Sequence, residues 1–134
     1  MIGFLIVSHG TFGEALIHCA SHVLGKRPLQ VRQVGVTVHD DPDAMLRQAQ
    51  ELVRQLDDGN GVLVLTDILG ATPSNITTRL LHPGRVEGVA GVNLPMLIRA
   101  LTYRNESLAT VVEKAVSGGC DGVVHIGGHA ASRG

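Results

Sequence analysis

Gly59-Asn60-Gly61-Val62-Leu63-Val64-Leu65-Thr66-Asp67 is the stretch on which the fold turns. The Gly-Asn-Gly triplet stops the helical pattern before it, and the four apolar residues that follow leave no polar face. A strand apolar on both sides is the pattern of a parallel strand covered by helices above and below. Asp67 then sets a carboxylate just beyond its carboxyl end.

The flanking segments continue the same alternation in both directions. Upstream, Asp41-Pro42-Asp43 is a helix start with a mechanism: Asp41 can accept from free amides, Pro42 loses nothing at the first helical position, and Asp43 faces the positive end of the helix dipole. Leu46, Ala49, Val53 and Leu56 form the expected buried stripe, and Val31 to Val38 alternates as a strand. At the amino terminus, residues 2 to 7 are an apolar run of strand length. Phe12, Leu16, Cys19, Ala20 and Val23 then recur at helical spacing until Gly25.

Downstream, Thr72-Pro73 repeats the cap-plus-proline signal and opens a short helix through Ile76, Leu80 and Leu81, ended by His82-Pro83-Gly84. Val86 to Val92 reads as a fourth strand, and Pro95 starts a helix carrying Met96, Leu97 and Leu101. Leu108, Val111, Val112, Ala115 and Val116 mark a last helix, closed by Gly118-Gly119 before Gly122-Val123-Val124-His125-Ile126. No Pro- or Ser-rich linker, repeat or low-complexity run interrupts the pattern, so residues 1–134 read as one domain.

Alternating strands and helices imply a mainly parallel sheet with right-handed crossovers and helices on both faces. The economical arrangement is a three-layer, flavodoxin-like α/β domain of strand order 2-1-3-4, with Val123 to Ile126 as a short C-terminal edge strand. In that order the first and third strands are neighbours at the topological switch point, where a ligand crevice opens beyond their carboxyl ends. Residues 8 to 11 and 66 to 74 then face one another.

Composition removes several classes of function. The 134 residues are 44% hydrophobic, and 11 Lys and Arg against 12 Asp and Glu leave no basic surface for nucleic acid or an anionic membrane. No run of about 18 apolar residues spans a membrane and no charged, apolar leader is present, which points to a cytoplasmic protein. Cys19 and Cys120 form no C-x-x-C unit and read as small buried thiols, and the methionines read as core. Two Phe, one Tyr and no Trp offer few stacking platforms for bases or sugars.

Chemistry concentrates at the two facing segments. Val7-Ser8-His9-Gly10-Thr11 ends a strand on a histidine, the side chain suited to exchange a proton or an electrophile near neutral pH, and Gly10 admits close approach to its backbone. Opposite it stand Asp67 and then Gly70-Ala71-Thr72, small residues leading into a helix whose first amides can bind an anion. A carboxylate that accepts from one ring nitrogen fixes the tautomer and leaves the other nitrogen a lone pair for attack. Each residue also has a plainer use: a histidine at a strand end is often just solvated, Asp67 can cap its own turn, and Thr72-Pro73 or Asn93-Leu94-Pro95 suffices as a helix entry.

Three blocks in order carry a resemblance across nearly the whole chain: Val7-Ser8-His9-Gly10, Asp67-Ile68-Leu69-Gly70-Ala71-Thr72-Pro73-Ser74-Asn75, and Gly91-Val92-Asn93-Leu94-Pro95-Met96-Leu97. They resemble the enzyme IIA component of the mannose (mannose, fructose and sorbose) family of the bacterial phosphotransferase system. The resemblance implies a phosphocarrier in which His9 takes a phosphoryl group from the histidine phosphocarrier protein HPr. It passes that group to an enzyme IIB component for sugar uptake. It implies that Asp67 orients His9 through Nδ1 so that Nε2 carries the phosphate, and that Thr72 with the backbone of Gly10, Thr11, Gly70 and Ala71 contacts phosphoryl oxygens. It further implies a covalent phosphohistidine with no cofactor and no metal, a homodimer with or without an exchanged C-terminal strand, and Asn93-Leu94-Pro95 bordering a docking surface. Association with a membrane permease complex, without insertion of this chain, belongs to the same picture. The short tail after Ile126 places IIB on a separate chain, or leaves the protein without one.

Rival readings come from other classes. Small tetrapyrrole metal chelatases also place a histidine after their first strand, so His9 with a second histidine could hold a metal; they would not need Asp67 before an anion-ready turn. Histidine phosphatases use Arg-His-Gly, where Ser8 stands here. A regulatory phosphohistidine protein without a sugar transporter would keep the chemistry and drop the pathway. A related dihydroxyacetone kinase subunit shares the fold, but the Gly70-Ala71-Thr72-Pro73 turn fits the sugar-family pattern better. Of the remaining histidines, His18 and His22 stand i, i+4 on a helix as an exposed or interfacial pair, while His39, His82, His125 and His129 lie in or beside turns.

Overall fold

Four strands lie side by side in the order β2-β1-β3-β4, every neighbouring pair parallel, in a computed structural model that describes residues 1–127. In chain order the elements are β1 (Gly3–His9), α1 (Phe12–Leu24), β2 (Val31–Val36), α2 (Pro42–Leu56), β3 (Val62–Thr66), α3 (Thr72–Leu80), β4 (Val86–Ala90), α4 (Leu94–Thr102) and α5 (Leu108–Asp121). The expected α/β fold, its order 2-1-3-4 and its helices on both faces are therefore observed. His129 and the rest of the tail lie outside the described residues.

The sheet is apolar on both sides because it carries a core on each. Phe4 and Ile6 of β1 and Leu63 and Leu65 of β3 face Leu16, Ile17 and Ala20 of α1, Met96, Leu97 and Ala100 of α4, and Val111 and Ala115 of α5. The alternate residues Leu5, Val7, Val62 and Val64 face Leu46, Ala49, Leu52 and Leu56 of α2 and Ile76 and Leu80 of α3. Each such side chain taken fully out of water contributes about 1.5–3 kcal/mol, and the two central strands supply them to both cores.

Asp41 caps α2 as expected, accepting from the Asp43 amide. Several other expectations are corrected by packing. Phe12, Cys19 and Val23 are exposed, and α1 buries Gly13, Leu16, Ile17 and Ala20 instead. The cause is Gly13: a Cβ there would lie 3.0 Å from Ser8 Oγ and 3.2 Å from Gln33 Cβ, so its absence lets the first turn settle on the sheet and rotates the helix. On α2, Leu52 enters the core while Val53 is only partly buried. The second strand ends at Val36, because the Thr37 amide and hydroxyl turn to Asp40 Oδ2, leaving Val38 in solvent. The fourth ends at Ala90, where Gly91 turns the chain at φ 84°.

Cys19 and Cys120 are both exposed, contrary to their reading as buried thiols. Gly118-Gly119 does not close α5 either; the helix runs through it to Asp121. These glycines serve contact rather than termination. A Cβ on Gly118 would stand 2.8 Å from Arg99 Cβ and 3.1 Å from the Pro95 carbonyl oxygen, and one on Gly119 would stand 2.8 Å from Met96 Cε. Residues 123–126 form no strand, so the expected C-terminal edge strand is not observed, and β4 is one of the two edges of the sheet among the described residues.

The α4–α5 contact yields a prediction opposite to helix propensity. Gly to Ala inside a helix ordinarily stabilises by about 1 kcal/mol. Gly118→Ala should instead destabilise, by about 1–2 kcal/mol in urea unfolding, because the methyl meets backbone and a side-chain root that cannot swing away.

Candidate functional site at the carboxyl edge of the sheet

The register of β1 on β3 builds the site. Val7 pairs with Thr66, the last residue of β3, so Ser8-His9, still paired with Gly35 and Val36 of β2, run on beside Asp67 just beyond the end of β3. His9 Nδ1 lies 2.8 Å from Asp67 Oδ2, and the same oxygen accepts from the His9 amide at 3.0 Å. The other oxygen, Oδ1, accepts from the Ile68 amide at 3.0 Å. Both carboxylate oxygens are thus engaged, and Asp67 cannot rotate without breaking several bonds.

The electrostatics follow from that geometry. Partial burial favours the neutral carboxyl, but the hydrogen bonds from the His9 amide and ring, together with the charge of the imidazole, outweigh it and hold Asp67 below the ordinary carboxylate range. The Asp67 side chain is 15% exposed and that of His9 52% exposed. An ionised carboxylate on Nδ1 fixes the proton there, which leaves Nε2 with its lone pair directed away from Asp67.

The helices on either side add a second feature. α2, α4 and α5 are each capped by a side chain, Asp41, Asn93 and Ser107 respectively. α1 and α3, which begin just after His9 and Asp67, have no side-chain cap: Thr11 makes no such bond and Ala71 has no group to make one. Their first amides therefore remain available to an external anion, with the helix dipole in its favour.

Every residue expected at the site lies on this edge. Gly10 adopts φ 52° and Gly70 φ 90°, conformations that side chains resist, and Gly70, Thr72 and Thr11 are exposed with Gly10 and Ala71 partly so. One assignment is corrected: Ala71 rather than Thr72 is the N-cap of α3, and Thr72 is its first helical residue. The turn is fixed from inside the helix, by buried Ser74, whose Oγ accepts from the Gly70 amide at 3.2 Å. Asn93 caps α4 by accepting from the Met96 amide at 2.9 Å and donates to the Gly119 carbonyl at 3.2 Å, the structural role of a helix entry.

Two contributors escaped the sequence reading. Gly35 lies within β2, where an added Cβ would collide with the Gly10 carbonyl oxygen, while the Gly10 amide donates to Val36 at 2.9 Å. A glycine inside an apolar strand is the available signal for such a close approach. Ser74 had a weaker one, a hydroxyl one turn into a helix whose cap is alanine. His18 and His22 are exposed, and among the described residues no three His, Cys, Asp or Glu side chains are grouped as a metal ion would need. No described helix is long and apolar enough to cross a membrane.

The fold and site together are a doubly wound parallel domain with a histidine-carboxylate pair at its switch point, flanked by helix N-termini that no side chain caps. The family model described as the phosphotransferase system fructose IIA component matches residues 3–116, and the chain belongs to this family of IIA components. It is 30% identical over 125 residues to the mannose-specific EIIAB component of Escherichia coli K12, a match spanning 91% of this chain and 38% of that protein. It is 28% identical over 105 residues to the fructose-specific EIIA component of Bacillus subtilis 168, covering 78% of this chain and 71% of the relative. Among solved structures, the phosphotransferase system component EIIA from Streptococcus agalactiae superposes with a TM-score of 0.83 at 27% identity, covering 93% of this chain and 97% of that one.

The Asp67 contacts imply a pH dependence with a definite sign. A carboxyl whose folded pKa is depressed contributes stability that is complete above its unfolded value of about 4 and disappears as pH falls through the folded value. The stability advantage of the wild type over Asp67→Asn should therefore shrink as pH falls below the unfolded carboxyl value of about 4, followed by urea unfolding at each pH.

Proposed function

We propose that this chain is a phosphoryl carrier of the sugar phosphotransferase system, with His9 Nε2 as the atom that is phosphorylated. The observation that carries the reading is the bond between His9 Nδ1 and Asp67, which leaves Nε2 of a half-exposed ring free, next in sequence to α1 and, through Asp67, to α3, two helices that no side chain caps. In the forward step the Nε2 lone pair attacks phosphorus and the bond from phosphorus to the donor's imidazole nitrogen breaks. Its electron pair returns to that nitrogen, and Asp67 stabilises the positive charge developing on the His9 ring. Thr11, Ala71 and Thr72 supply amides and hydroxyls to the phosphoryl oxygens, while Gly10 and Gly70, whose own amides donate to Val36 and Ser74, shape the turns that present them. In the second step a nucleophile of the acceptor attacks phosphorus, the bond from phosphorus to His9 Nε2 breaks and its electron pair returns to Nε2, so the intermediate is covalent and no cofactor is required.

HPr is the proposed donor and an enzyme IIB component the proposed acceptor. A protein partner, rather than a small metabolite, is supported by the exposed apolar residues Phe12, Ile68 and Leu69, which surround a histidine at the surface. A homodimer is proposed as well, supported by the open edge of β4 and the exposed Val116, Val123, Val124 and Ile126. Monomeric mass at micromolar concentration in sedimentation would overturn the dimer alone.

Phosphotransfer from radiolabelled phosphoenolpyruvate through enzyme I and HPr tests the central reading. Label should reach the wild type and be absent from His9→Ala; equal labelling of the variant overturns the assignment. Asp67→Ala should retain labelling at a rate lower by about tenfold to a thousandfold, the loss typical of removing an orienting charged group.

A further inference from the structure

The opposite pole of the sheet, the length of β1 away from His9, holds a cleft of about 310 Å³ whose lining includes Leu24, Lys26, Pro28, Leu29, Leu101 and Arg104. That volume is at the lower end of small-molecule sites. Its apolar members include Leu24 and Leu29, both exposed, so the cleft leaves uncovered apolar surface next to two cations.

Arg104 is the unusual member. It is only 9% exposed, its guanidinium lies 5.2 Å from the centre of the Phe4 ring, and it forms no ion pair among the described residues. Its Nε and Nη2 donate to the Ile2 carbonyl at 3.2 and 2.7 Å, Nη2 to Gln30 at 3.3 Å, and Nη1 to Leu29 at 2.6 Å. A guanidinium has five N–H groups, so one on Nη1 has no partner among the described residues. These bonds tie the loop after α4 to the starts of β1 and β2, which explains the arginine as a structural element. They satisfy its geometry but leave its full charge without a counter-ion in contact. Burial works against that charge, and Asp58, the acidic group that acts in its favour, is already bound to the Met1 ammonium at 2.7 Å and does not line the cleft. Lys26, just beyond the C-cap Gly25, also pairs with no carboxylate among the described residues.

We propose that this cleft binds a small organic anion, a carboxylate or phosphate monoester bearing a short apolar chain. The anionic head sits at Lys26 and the free Nη1 donor of Arg104, and the chain lies on Leu24, Pro28, Leu29 and Leu101. The arrangement offers two positive groups beside a small apolar wall, and an amphiphile of that size satisfies both, whereas inorganic phosphate or a neutral alcohol satisfies only one. The site is separate from the His9 edge and does not depend on the phosphocarrier reading.

Titration of the full chain with hexanoate and with butyl phosphate, followed by amide and methyl chemical shifts, tests this, with hexanol, butanol and inorganic phosphate as comparators. At least one anion should saturate below about 1 mM, shift residues 24–29 and 101–104, and bind about tenfold more tightly than its alcohol. Lys26→Ala, at an exposed position outside the core, should weaken the anion by about threefold to tenfold while leaving the alcohol unchanged. Leu29→Ser should weaken both, which distinguishes the apolar wall from the charge. Equal affinity for acid and alcohol, shifts scattered over the surface, or an anion affinity unaffected by Lys26→Ala overturns the proposal. Arg104→Ala removes four structural bonds and is replaced in the test by Arg104→Lys, which keeps the charge and should retain part of the binding in a folded chain.

Discussion

The parallel ladder between β1 and β3 is the constraint from which the rest of this molecule follows. It joins segments far apart in the chain, Gly3 with Val62 through Val7 with Thr66, and its residues alternate between the two cores. Because the side-chain period of a strand is two, a one-residue slip would exchange the faces of Phe4 and Leu5 and of every residue after them. Both cores resist that slip. The same register delivers His9 and Asp67 to one edge within hydrogen-bonding distance, so the stability of the hydrophobic layers and the position of the reactive pair rest on a single pairing.

At that edge the molecule departs from its own habits. Elsewhere its helices begin under a capping side chain, and its turns are closed by hydrogen bonds such as Thr37 to Asp40. Beside His9 two helices begin without one, and three structural devices keep the open turns in place. Gly35 yields space to the Gly10 carbonyl, Ser74 accepts from Gly70, and Asp67 accepts from three donors. Amides preorganised in this way are available to phosphoryl oxygens without rearrangement, the condition under which electrostatic stabilisation is strongest. The exposed Phe12, Ile68 and Leu69 around them belong to the same departure, since apolar side chains in solvent at a reactive edge suit a surface that is covered when a partner docks.

Much of this was legible in the residues. The doubly apolar Val62-Leu63-Val64-Leu65, the Asp41-Pro42 start and the alternation of elements pointed to a parallel, helix-covered sheet, for which 2-1-3-4 was the economical order, and that order brought Asp67 to His9. Errors fell where one glycine changed a contact. Periodicity alone put Phe12, Cys19 and Val23 inside, but Gly13 lets α1 approach the sheet in a different rotation. Gly118-Gly119 has the appearance of a stop, yet a helix pressed against α4 needs the same small residues in its interior. Residues 123–126 have strand-like composition, and composition does not provide a neighbour to pair with.

The amino-acid sequence by itself determined the alternation of elements, the parallel character of the sheet, and the presence of a histidine and a carboxylate at its switch point. These depend on local patterns of apolar side chains, prolines and caps, which a chain carries wherever it folds. The pairing of Asp67 with Nδ1, implied by the family resemblance, is realised at 2.8 Å, and only the tertiary structure decided that α1 and α3 begin without a side-chain cap and that Gly35 and Ser74 hold the turns. It also decided that Arg104 is buried with its charge uncompensated by a carboxylate in contact. Those facts depend on distances between segments far apart in sequence, and they are set by how closely two backbones approach once both cores have closed.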